Sequence, residues 1–207
     1  MIRKTFRTIL DPIPTGTTDN LDESGAYRGD HDLNPASFPD KNRVYKPAAV
    51  LVPIVMREDE PSVILTRRAS HLNKHAGQIS FPGGRAEASD MSVVDTALRE
   101  SEEEIGLDPS LVDIAGTLSA YLTVTNYLVI PVVGFIEPGF DLVADRGEVE
   151  EIFEVPLDFL MNTENHERHS GFHNGIERFW YAMPFNDYYI WGATAGMIKD
   201  LSERVPK

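Results

Sequence analysis

Phe81-Pro82-Gly83-Gly84, a short polar loop, and then Arg99-Glu100-Ser101-Glu102-Glu103-Glu104-Ile105-Gly106-Leu107 form the stretch whose reading decides the fold. Glycines without a Cβ let backbone come close to a ligand, and the carboxylates that follow are hard oxygen donors suited to divalent cations. Ser92 offers a polar N-cap, Asp95 an acid in the first turn and Gly106 a stop, so a helix is expected over 92–105. At about 100° per residue, Val94, Ala97, Leu98, Ser101 and Ile105 share one stripe that must face a core. Glu100, Glu103 and Glu104 share the adjoining stripe, while Glu102 points away into solvent.

Side chains at i, i+3 and i+4 lie about 5–6 Å apart on a helix. Two like charges at about 6 Å in an effective dielectric near 20 repel by about 3 kcal/mol, an upper range for an exposed helix. Such a trio therefore calls for a cation unless water screens it, and an all-oxygen donor set suits Mg²⁺ or Mn²⁺ better than a thiophilic metal. Acidic runs ordinarily lie solvated on a surface. Here the Gly-Gly turn before the helix and the Gly106 stop after it frame the glutamates as a site.

Working outward, residues 48–56 are an apolar run of strand length, 57–61 a turn and 62–67 a returning strand, a hairpin pattern. Further strands are expected at 77–81, 112–119, 127–135, 152–155 and 178–183, and further helices at 157–162 and 194–203. Mixed strands with a few helices point to an α/β or α+β sandwich. Residues 11–47 are polar and rich in Pro, Gly, Asp and Asn, so 1–47 reads as an irregular N-terminal extension and 48–207 as the domain proper.

The formal charge of −14 argues against a nucleic-acid partner, because affinity for a polyanion comes from clustered Lys and Arg. No Cys is present, which excludes disulfides, thiolate metal sites and Cys nucleophiles and fits a reducing, cytoplasmic location. No apolar run reaches the roughly 20 residues of a membrane helix, and the N-terminus lacks the apolar core of a secretory signal. The histidines show no His-Glu-x-x-His spacing, and Ser80 does not stand in a Gly-x-Ser-x-Gly setting.

Gly84, Arg99, Glu100, Glu103, Glu104, Gly106 and Leu107 resemble the box of the Nudix hydrolase family. Two departures stand out. Ser101 replaces an apolar residue and is expected to be buried with its hydroxyl bonded to the preceding turn. The loop is longer by one, which leaves Asp90 where the family has its first Glu. The resemblance implies an α/β/α sandwich with a mixed β-sheet, with Glu100 and Glu104 as metal ligands and Glu103 as a further ligand or a base acting through water. It implies that Arg99 orients the glutamates, a role compatible with a plain helix-to-loop salt bridge. Glu148 is the choice for an additional metal ligand or base, and otherwise is surface charge.

Upstream, Leu65, Thr66, Arg68, Ala69, Gly77 and Phe81 to Gly84 resemble the extra signature of the coenzyme A pyrophosphatase branch of that family, although Asn73 stands where the second Arg belongs. Arg68, Lys74 and His75 make a positive cluster in an acidic protein, as an anionic ligand requires. Arg68, Lys74, Gly83 and Gly84 are thus the expected substrate contacts. The activity implied is metal-dependent cleavage of coenzyme A to 4′-phosphopantetheine and adenosine 3′,5′-bisphosphate. Other readings are a Nudix hydrolase of ADP-ribose or a dinucleotide, or a catalytically silent nucleotide-sensing module. Phe179, Trp180, Tyr181, Tyr188, Tyr189 and Trp191 either stack on adenine or fill a core. The N-terminal extension is expected to mediate dimerisation or to cover the cleft, with the oligomeric state leaning to a homodimer.

Overall fold

A computed structural model describes residues 2–14, 27–35, 44–72, 75–173 and 175–206. In chain order the elements are α1 (Ile2–Ile9), β1 (Arg28–Gly29), β2 (Lys46–Val55), β3 (Ser62–Arg68), β4 (Ile79–Ser80), β5 (Gly83–Arg85) and α2 (Val93–Ile105). They continue with β6 (Val112–Thr117), β7 (Tyr121–Leu122), β8 (Tyr127–Ile136), β9 (Val149–Pro156) and α3 (Leu157–Met161). The chain then forms β10 (Glu167–His173), β11 (Ile176–Phe185), β12 (Tyr188–Trp191) and α4 (Ala193–Arg204).

The apolar run of β2 is buried because it lies in the middle of a nine-stranded mixed sheet. It pairs in parallel with β8 from Lys46↔Tyr127 to Val55↔Ile136, and antiparallel with β3 and β5. Buried on both faces, such strands read as continuous hydrophobic runs. Successive β2 residues feed opposite cores: Ala48, Val52 and Ile54 face one cluster, Ala49, Leu51 and Val55 the other. The first cluster takes Phe6 of α1, Leu157 and Leu160 of α3, and Ile198 and Leu201 of α4. The second takes Val93, Ala97 and Ile105 of α2. The sheet is therefore sandwiched between α2 on one face and α1, α3 and α4 on the other, the α/β/α arrangement expected.

Several elements differ from the sequence reading. The strand expected at 77–81 shortens to Ile79–Ser80, because Gly77 stands at φ 70° in a turn where its N–H donates to Arg68 O at 3.0 Å. Gly83–Arg85, read as the Gly-Gly turn and the start of the polar loop, is a strand recruited by pairing with Ala48 to Val50. The irregular reading of 1–47 is corrected at residues 2–9, which form α1. Phe6 anchors it edge-on to Phe135 at 5.8 Å, while Arg3 and Arg7 pair with Asp113. Residues 178–183 belong to a longer strand in a separate three-stranded antiparallel sheet, ordered β10-β11-β12. No described helix is long and apolar enough to cross a membrane.

Candidate active site

Helix α2 begins where Ser92 Oγ accepts from Asp95 N at 3.2 Å and Asp95 in return accepts from Met91 N at 3.0 Å. It ends at Gly106, whose φ of 66° suits a residue without a side chain and whose N–H donates to Glu102 O at 2.9 Å. Ser101 is fully buried and its hydroxyl donates to Ala97 O at 2.6 Å, so the polar substitution on the core stripe is satisfied within the preceding turn. Glu102 is exposed, as expected.

The three remaining glutamates occupy graded environments. Glu104 is buried at 4% exposure, accepts from Gly83 N at 3.1 Å and faces Arg68 Nη1 at 3.4 Å. Burial pushes its carboxyl up to about 7, opposed by the Gly83 N–H and Arg68 and reinforced by the charges of Glu100 and Glu148. Glu100 is half-buried, and its carboxyl is also raised by burial, with Arg99 opposing and Glu103 and Glu148 adding to the rise. Glu103 is exposed.

Arg99 clasps this group from the side. Its Nε and Nη2 donate to Asp90 Oδ1 and Oδ2, each at 3.0 Å, and Nη2 also donates to Arg85 O at 3.1 Å. Nη1 then reaches Glu100 Oε1 and Glu103 Oε2, both at 3.0 Å. Asp90 accepts further from Thr96 Oγ1 at 2.8 Å and Glu87 N at 2.9 Å, and the Arg99 guanidinium holds its carboxyl down to about 2. Both Asp90 oxygens are thus engaged, which explains why an acid stands there: it is the abutment of Arg99. That role was not read from the sequence. Its one visible signal is an acid nine residues before the arginine, just outside the helix start.

The glycines are there for space. A Cβ on Gly84 would lie 2.4 Å from Glu100 Oε2, and one on Gly83, at φ 148°, would lie 2.5 Å from Ala49 O. The segment carrying Glu148 is fastened to the end of α2, with Val143 N donating to Ile105 O and Asp145 N to Glu104 O, both at 2.9 Å. Glu148 O also accepts from Ala69 N, the residue after Arg68, at 2.8 Å, and this exposed residue lies within electrostatic reach of Glu100 and Glu104. Gly83, Gly84, Arg68, His75, Arg85 and Lys46 line one cavity of about 750 Å³. Lys74 and Asn73 lie outside the described residues.

Among the described residues, no three His, Asp or Glu side chains converge tightly enough to enclose a metal as they stand. Arg99 draws Glu100 and Glu103 toward itself, and Glu104 turns to Gly83 and Arg68. The donor set nevertheless fits a hard divalent cation: carboxylate oxygens only, with burial and mutual repulsion raising two of the carboxyls.

An α/β/α sandwich whose helix glutamates lie against the glycine edge of a basic cleft is the arrangement that the comparisons with known proteins identify. The sequence profile of the NUDIX domain matches residues 45–174. The chain is 41% identical over 162 residues to the uncharacterized Nudix hydrolase NudL of Escherichia coli O7:K1, covering 78% of this chain and 83% of that protein. The NudL of Shigella boydii serotype 18 gives the same identity and coverage. Among solved structures, the Nudix hydrolase RenU of M. Smegmatis is 21% identical with a TM-score of 0.46, over 54% of this chain and 70% of that one. The NUDIX domain of Shewanella oneidensis NrtR, complexed with ADP ribose, is 15% identical with a TM-score of 0.49, over 90% of this chain and 95% of that one. The chain belongs to the Nudix family. It is a Nudix hydrolase, of a family whose members use divalent metal ions and act on small nucleotide substrates.

Proposed function

We propose that the enzyme hydrolyses the pyrophosphate of coenzyme A or its derivatives, releasing 4′-phosphopantetheine and adenosine 3′,5′-bisphosphate. The observation that carries this reading is Arg68, the arginine of the upstream signature, held 3.4 Å from Glu104 Oε1 at the glycine edge. The β3–β4 pairing that opposes Thr66 to Ser80 brings the two halves of that signature together.

Glu100 and Glu104, with Glu103 and Glu148, would hold Mg²⁺ or Mn²⁺. When bound, such ions polarise the diphosphate and make water a better nucleophile. Arg68 binds the phosphate oxygens, and the sequence reading adds Lys74 as a second cation. Gly83 and Gly84 let the diphosphate lie against backbone. Arg99, braced on Asp90, orients Glu100 and Glu103. Water adds to one phosphorus, the bridging P–O bond breaks toward the other phosphate, and a glutamate, Glu103 or Glu148, takes the proton of the attacking water.

The test is mass-spectrometric identification of products from coenzyme A with MgCl₂ or MnCl₂. The two named products are expected. Intact coenzyme A beside rapid cleavage of ADP-ribose or a dinucleotide would overturn the substrate assignment.

A further inference from the structure

The Glu104 cleft does not end at the glycines. The cavity holding Gly84 and Arg85 shares Val50, Arg68, His75, Gly83, Thr125 and Val129 with a second cavity that reaches Trp191. The second cavity shares Val124, Thr125 and Trp191 with a third, of about 800 Å³, walled by Trp180, Tyr189 and Phe172 of the small sheet. Thr125 lines all three, so one trough runs from the Gly83–Arg85 strand to an aromatic end.

That end is built and held. Trp180 and Trp191 meet edge to face at 5.6 Å, and Tyr189 lies 6.1 Å from Trp191. Trp180 Nε1 donates to Tyr189 Oη at 3.0 Å, and the same oxygen meets His169 Nδ1 at 2.7 Å. Gly171 leaves room for Trp180, since a Cβ there would come within 3.0 Å of the indole. None of these rings belongs to either buried core, so packing does not account for them. Arg178 lines the same end and brings a guanidinium beside the rings, its buried Nε without an acceptor among the described residues.

We propose that the aromatic end of the trough is the subsite for the adenine of the substrate, stacked on the Trp180, Tyr189 and Trp191 rings, with the adenosine phosphate beside Arg178. Flat heteroaromatic rings suit such a wall, whereas the amide chain of a pantetheine would leave its polar groups without partners there. The proposal rests on the coenzyme A reading for the identity of the whole substrate, but stacking of the adenine half can be measured separately.

The chain's two tryptophans are Trp180 and Trp191, so intrinsic fluorescence reports on this subsite. Adenosine 3′,5′-bisphosphate titrated into the full chain in EDTA should quench it saturably, and free 4′-phosphopantetheine should not. Tyr189 is partly exposed, so Tyr189→Ala is compatible with folding. It should raise KM for coenzyme A by about 5- to 150-fold, the range that loss of one base-stacking contact covers, with kcat held within about 3-fold. Arg178→Gln should abolish any preference for coenzyme A over its 3′-dephospho form.

Hydrolysis of coenzyme A without quenching, and with an unchanged KM in Tyr189→Ala, overturns the subsite and leaves the function standing. Quenching by the bisphosphate in a protein that does not cleave coenzyme A supports the subsite and overturns the function. A shift in sedimentation of Tyr189→Ala at unchanged KM assigns the aromatic face to contact between copies and overturns the proposal.

Discussion

Replacing Glu104 by Gln separates the chemistry of the cleft from its burden on folding. The carboxyl is pushed from 4.5 to about 7, chiefly by burial. A carboxyl raised in the folded state favours folding fully below its unfolded value, and that stability is lost as pH rises through the folded value. The interval from 4.5 to about 7, at about 1.36 kcal/mol per pH unit, makes about 3 kcal/mol. Without divalent metal, the wild type should therefore weaken by about 3 kcal/mol more than Glu104→Gln between pH 4.5 and pH 8. The amide keeps an oxygen for the Gly83 N–H and carries no charge, so the fold survives. Urea unfolding followed by tryptophan fluorescence in EDTA at the two pH values measures the difference. In the same preparation, turnover with Mg²⁺ should fall by at least about 100-fold. Parallel stability curves for the two proteins would refute the burial argument, and wild-type turnover in the variant would refute the role assigned to Glu104.

Asp90→Asn should loosen Arg99 and so reduce kcat with little effect on KM, readable in steady-state kinetics. Because the Asp90 carboxyl is lowered from 3.8 to about 2, it contributes about 2 kcal/mol of stability that is present above pH 4 and lost as pH falls through about 2. Acid titrations of wild type and Asp90→Asn should therefore converge near pH 2, and divergence there would contradict the clasp. Gly84→Ala places a methyl 2.4 Å from Glu100 Oε2, so activity should drop by about 100-fold while the melting temperature moves by only a few degrees; a large loss of stability with normal specific activity would reverse that reading. Dialysis against EDTA should abolish turnover, with recovery on adding Mg²⁺ or Mn²⁺ and none on adding Ca²⁺ alone. Retained activity after exhaustive chelation would exclude the glutamates as metal holders.

The legible parts of the fold are those with a local pattern. Helix α2 is marked at both ends by Ser92 and Gly106, and β2, β3 and β8 by apolar runs that the sheet buries. What escapes reading depends on distant partners. Gly83–Arg85 has poor strand propensity and becomes a strand because Ala48 to Val50 offers it an edge. Strand β10 is mostly exposed, so no alternation betrays it, and it forms by pairing with β11. Helix α1 carries one buried apolar residue, Phe6, in a basic segment. In the cleft, helical spacing groups the glutamates and the family resemblance points to Arg68, whereas the Arg99–Asp90 clasp spans a loop whose path no periodicity describes. The aromatic residues of 179–191 are visible in the sequence, but only the three-dimensional path of Thr123 to Thr125 joins them to the cleft.

The parallel pairing of β2 with β8 bears on synthesis. Every glutamate of α2 emerges from the ribosome before Tyr127, yet β2 keeps an open edge until residues 127–136 arrive. Closing so large a loop is slow, and an unpaired hydrophobic edge invites pairing with other nascent chains. Translation stalled at residue 126 should thus release insoluble polypeptide, detectable by fractionating truncated product, even though it already contains the glycines and the whole acidic helix.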